Sequence, residues 1–153
     1  MGKRLLLLLT PLLFCLPLEA KDPLSPGSLY NKAQDRYLHG DFKDSLALLD
    51  SVLKENPGLL PAYALRARLW HVLGDYVNMR QDARKILAEF VKVNYTAPDY
   101  IAQGSAYLLL GEPDNALSSF GAALKLARDS PEALSGRARV WRAKNDYNQA
   151  VED

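Results

Sequence analysis

The stretch Gly104–Ala123, GSAYLLLGEPDNALSSFGAA, decides the fold. Its apolar run stops at Gly111, the residue type that most readily takes the left-handed conformation closing a helix. Pro113 follows two residues later and suits the first position of a new helix, where its missing N–H costs nothing. This turn is one of a series. Gly40-Asp41-Phe42 and Gly74-Asp75-Tyr76 precede it and Asn145-Asp146-Tyr147 follows, so the turn residues are 34, 37 and 34 positions apart. A tight turn returning at this period between helical segments means stacked helix–turn–helix units, not one globular core.

The residues around each turn keep register. Seven positions before it stand Ala33, Ala67, Gly104 and Ala138, small residues that suit a close helix crossing. Four before it stand Arg36, Trp70, Tyr107 and Trp141. Five after it come Ser45, Met79, Ala116 and Ala150. Leu49, Ala83 and Phe120, then Val52, Ile86 and Ala123, continue the alternation of small and large that interlocking helices need. Apolar spacing and stop signals predict helices over 28–39, 43–55, 60–73, 76–91, 98–110, 113–128, 131–144 and from 147 onward. Ser130-Pro131-Glu132 is a further helix start, with serine as cap and glutamate at the positive end.

On these residues the chain resembles the tetratricopeptide repeat family. Gly104, Tyr107, Gly111, Ala116, Phe120 and Ala123 carry the resemblance best, and it extends over about residues 26–153. It implies an all-α, right-handed solenoid with three full units and a truncated fourth. The units fall at about 26–59, 60–93, 97–130 and 131–153. Three departures bear on local packing: Arg36 in place of an aromatic, the large Met79, and three extra residues near Lys92 to Thr96.

Outside the repeats, Lys3 and Arg4 precede an apolar run from Leu5 to Leu18, and Ala20 is a small residue at a plausible cut. Residues 1–20 therefore read as a secretory signal peptide, too short in its apolar part for a spanning helix, and 21–27 as a linker. Phe14 stands before Cys15, the only cysteine, which reads as part of the signal and not as a lipid anchor. The mature chain is then free of thiols and carries 17 basic and 17 acidic residues. That balance gives no support for nucleic acid or an anionic membrane as partner. The last helix has only seven residues to Asp153, which leaves Leu134, Ala138 and Trp141 poorly covered. An incomplete gene product explains this, and association of a second chain with the uncapped end is the alternative.

The resemblance implies that the first helix of each unit lines a concave groove. Helical spacing puts Tyr30, Gln34 and Tyr37, then Arg68 and His71, then Ile101, Ser105 and Leu108, then Ser135, Arg139 and Arg142 on that face. Such a surface suits an extended or helical peptide with acidic and apolar side chains. Co-chaperone relatives that grip C-terminal carboxylates use Lys and Asn here, whereas Tyr30, Gln34, Leu65, Pro98 and Ala102 stand at the matching places. That clamp is absent. His39 and His71 lie on different units, and Asp41, Asp75 and Asp146 belong to turns, so no catalytic, metal or cofactor site is expected. Asn94-Tyr95-Thr96 is a glycosylation sequon. The resulting expectation is a non-catalytic scaffold, exported to the periplasm or outside the cell, that binds a protein or peptide. A structural subunit of an envelope or secretion assembly and a chaperone of the endoplasmic reticulum lumen are the alternatives.

Overall fold

The computed structural model describes residues 26–91 and 94–153. The signal segment and nearly all of the linker lie outside them, as do Lys92 and Val93 of the insertion. The described residues form eight helices and no strand: α1 (Pro26–His39), α2 (Phe42–Glu55), α3 (Leu60–Val72), α4 (Tyr76–Glu89), α5 (Ala97–Leu109), α6 (Pro113–Leu126), α7 (Pro131–Ala143) and α8 (Tyr147–Glu152). Each helix packs on the next, and α1, α3, α5 and α7 also pack on one another in sequence. Among the described helices no packing contact reaches further along the chain, and the pairs build a right-handed solenoid. Every expected helix is present, with ends within two residues of the expected positions. Pro26 and Gly27, read as linker, belong to α1.

The recurring turns work as their residues suggest. Gly40, Gly74 and Gly111 have φ of 82°, 78° and 79°, and Asn145 has φ of 62°. In each, the N–H of the following residue reaches back to a carbonyl in the last turn of the preceding helix: Asp41 to Arg36 (2.9 Å), Asp75 to Trp70 (2.8 Å), Glu112 to Tyr107 (2.9 Å) and Asp146 to Trp141 (2.9 Å). These bonds satisfy carbonyls that the helix ends leave open. Asp75, Ser130 and Asp146 cap the helices that follow, and Thr96 forms a reciprocal capping box with Asp99. Asp41 does not cap by its side chain. Its carboxylate instead takes the Arg36 guanidinium at 3.1 Å, which is how the first unit accommodates a charge at an aromatic position.

Small residues sit where helices cross. Ala33 is buried, and the Ser45 hydroxyl donates to its carbonyl at 2.8 Å. Phe120, 1% exposed, lies against Gly104 and Gly136, where added Cβ atoms would come within 3.0 Å and 2.3 Å of its ring. Met79 is buried despite its size. At the insertion, Phe90 stacks on Tyr95 at 3.7 Å and Tyr100 meets both rings at 5.4 and 5.9 Å.

A polar contact also repeats with the units, joining the first helix of a pair to the second. Arg66 holds Asp82 through two bonds of 2.8 and 2.7 Å, and reaches Asp50 of the preceding helix at 2.6 Å. Ser119 donates to Gln103 at 2.9 Å, and Arg137 donates to Asp153 at 2.8 Å. Each of these pairs is 16 residues apart. Pairing and hydrogen bonding are what permit carboxylates as buried as those of Asp82 and Asp153.

Candidate protein-binding groove

The concave face holds a hollow of about 820 Å³ whose walls come from α1, α3, α5 and α7. Proline at the first or second position of α3, α5 and α7 brings Pro61, Pro98 and Pro131 to its rim. Of the groove residues expected from sequence, Tyr30, Gln34, Arg68, Ile101, Ser105, Ser135 and Arg139 line this hollow. A second hollow of about 480 Å³ lies towards the C-terminal ends of α3, α5 and α7 and takes in His71, Leu108, Arg139 and Arg142. Arg139 is the wall they share. Tyr37 lines neither, but its ring lies 5.1 Å beneath the Arg68 guanidinium.

Sequence periodicity did not point to Leu59, Pro61, Ala64, Ala97, Glu132 or Gly136, which also line the larger hollow. They stand at or near helix starts, where the curvature of the stack and not the face of one helix decides what faces inward. Tyr30, Gln34, Leu65, Pro98 and Ala102, at the places where a carboxylate clamp would lie, all line the larger hollow and make much of it apolar. The resemblance offered a signal here, since the same comparison that removed the clamp described its replacement.

Electrostatics divide the groove. The Tyr30 phenol is pushed up from its ordinary pKa chiefly by burial, with Arg68 opposing and Glu132 adding. The Arg139 guanidinium is pushed down, first by desolvation between the groove walls and then by Arg68, with Arg142 adding and Tyr37 opposing. Part of Arg139 remains open to solvent. Glu132 accepts the Ser130 hydroxyl at 3.1 Å at the opposite end of α7. The groove thus has an apolar centre, one carboxylate at the start of α7, and three arginines towards the ends of α3 and α7. His39 lies away from both hollows, its Nδ1 2.8 Å from the Asp35 carbonyl.

No protein-family model matches the sequence, and no curated protein sequence does. Solved structures do match. The thermophilic tetratricopeptide repeat protein TTC0263 of Thermus thermophilus is similar with a TM-score of 0.61 at 22% identity, over 86% of this chain and 71% of that one. A tetratricopeptide repeat protein of Parabacteroides merdae is similar with a TM-score of 0.54 at 21% identity, over 83% of this chain and 48% of that one. The first such domain of Spaghetti (RPAP3), solved bound to an HSP90 peptide, is similar with a TM-score of 0.52 at 16% identity, over 81% of this chain and 96% of that one. The fold of this chain is therefore the tetratricopeptide repeat solenoid. Among its described residues no helix is long and apolar enough to cross a membrane.

Proposed function

We propose that this chain is an exported, non-catalytic scaffold that holds a peptide segment of another protein in its concave groove. The observation that carries this reading is the 820 Å³ hollow walled by all four first helices. A volume of this order accommodates several side chains of an extended segment, and the apolar residues at the clamp positions give such side chains somewhere to bury. The likeness to a domain that was solved with a peptide bound supports the same reading. Export rests on the basic and apolar pattern of residues 1–20.

The test is a selection of random displayed peptides on the immobilised protein. Ser135→Trp places a large ring in the larger hollow from an exposed position, and Tyr37→Ala with Leu108→Ala removes the ring beneath Arg68 and a wall of the second hollow. Both variants should stay helical by circular dichroism; Ser135→Trp should abolish binding of the selected peptides and Tyr37→Ala with Leu108→Ala should weaken it, while Arg84→Ala on an exposed face of α4 should keep them. Peptides that bind all three variants alike would show that the groove is not the site. Export is checked by the intact mass of the native protein in exported and cytoplasmic fractions. A chain beginning at Lys21 outside the cytoplasm is the expected species, and an unprocessed chain confined to the cytoplasm would refute export.

A further inference from the structure

Three arginines of this chain hold carboxylates, and among the described residues Arg80, Arg84 and Arg128 on other faces form no ion pair; what sets the groove arginines apart is that they gather around shared hollows. Arg36 holds Asp41, Arg66 holds Asp50 and Asp82, and Arg137 holds Asp153. Among the described residues Arg68, Arg139 and Arg142 form no ion pair. Arg68 rests over the Tyr37 ring, 5.1 Å from its centre. Stacking occupies the face of a guanidinium and leaves its in-plane N–H donors available. Arg139 borders both hollows, and Arg142 borders the second beside His71.

Like charges gathered on one wall repel. Burial is the larger cause of the depression of Arg139, and Arg68 and Arg142 add to it by repulsion. Helix ends explain part of the cluster, because His71 and Arg142 lie in the last turns of α3 and α7 and complement the partial negative charge there. They do not explain Arg68 and Arg139, which lie a turn further in. Among the described residues no carboxylate pairs with either of these two, and the carboxylate that lines the larger hollow, Glu132, sits at the other end of α7 from Arg139. A carboxylate from outside would relieve the repulsion and meet donors already fixed in plane.

Resting on the reading of the groove as a peptide site, we infer that its ligand is an acidic segment. Asp or Glu side chains of that segment sit against Arg68, Arg139 and Arg142, and a neighbouring apolar side chain fills the larger hollow. Guanidinium forks bind carboxylates through paired hydrogen bonds, which gives direction as well as attraction. The segment therefore lies with its acidic end towards the C-terminal ends of α3 and α7 and away from Glu132.

The probes are the displayed peptides selected on the wild-type chain at low salt, remade synthetically with amidated C-termini so that only side-chain carboxylates remain. Selected sequences should carry Asp or Glu beside an apolar residue. Arg68→Gln with Arg139→Gln should weaken their binding at least about tenfold, and raising the salt should weaken it on the wild type by a similar factor. Replacing the peptide's acids by amides should cause the same loss on the wild type and little further loss on the double variant. Should the double variant fail to fold, the amide series on the wild-type chain decides alone. Peptides that are apolar only, or that bind the glutamine variant unchanged, overturn the inference. The groove reading survives that result if Ser135→Trp still abolishes binding. If Ser135→Trp also leaves binding intact, both readings fall.

Discussion

Phe120 shows at the residue scale why this chain needs glycine at positions that are not turns. Its ring is almost fully buried, with Gly104 of its own unit on one side and Gly136 of the next unit on the other. A methyl group at position 136 would stand 2.3, 2.6 and 2.9 Å from atoms of that ring, so the ring would have to shift. Overpacking of this kind costs about 1–3 kcal/mol, against which the better helix propensity of alanine returns about 1 kcal/mol. Gly136→Ala should therefore lower stability to urea by up to about 2 kcal/mol. In a Phe120→Leu background the same change should be neutral or stabilising, because the clash is gone. A stabilising effect in both backgrounds would show that the ring can move aside. Gly104 was legible from sequence because it shares its place with Ala33, Ala67 and Ala138. Gly136 was not, since it faces the preceding unit, and its equivalents Asn31, Leu65 and Ala102 are not uniformly small.

At the scale of the element, the turns were readable because backbone chemistry fixes them: a left-handed residue, an open carbonyl and a following N–H that donates to it. Exact helix ends were not. Asp41 and Asp75 occupy equivalent positions, but only Asp75 caps, because Arg36 draws the Asp41 carboxylate away. The polar contacts between paired helices also escaped the sequence reading. They join residues 16 apart on different helices, and the first unit breaks the pattern with Lys32 and Leu48 at the matching positions. Their energetic weight can be measured. Asp82 is 6% exposed in its side chain and takes two bonds from Arg66. Arg66→Ala strands that carboxylate, and removing one partner of a buried pair costs about 3–5 kcal/mol. The low end is expected, since Arg66 keeps 20% of its side chain exposed. Replacing both partners, as Arg66→Met with Asp82→Leu, should recover most of the loss. Urea titrations of the two variants separate these outcomes, and a cost for the single change below about 1 kcal/mol would class the contact with ordinary surface pairs.

For the whole molecule, the contacts run only between neighbouring elements, so the first and fourth units have no direct packing through which to stabilise each other. The groove is the exception. Tyr30 of α1 and Arg139 of α7 border the same hollow, while Tyr37 of α1 carries the guanidinium of Arg68 from α3. A segment seated there touches units that the solenoid leaves energetically separate. Its binding free energy must then appear at both ends of the stack, and at 100 times the dissociation constant it amounts to about 2.7 kcal/mol. Amide exchange should accordingly slow in α1 and α7 together when a selected peptide is added. The slowing should extend through α3 and α5, which floor the hollow, and exceed any change in α2, α4 and α6. Arg68→Gln with Arg139→Gln should shrink the effect in α7 more than in α1, because α7 supplies Arg139 and α1 contributes Tyr30 and Gln34 to the apolar part of the hollow. Protection confined to the second helices of the pairs would place the ligand on the convex face instead. Protection confined to α3 and α5 would mean that the ligand spans two units and that the separation of the end units persists when it is bound.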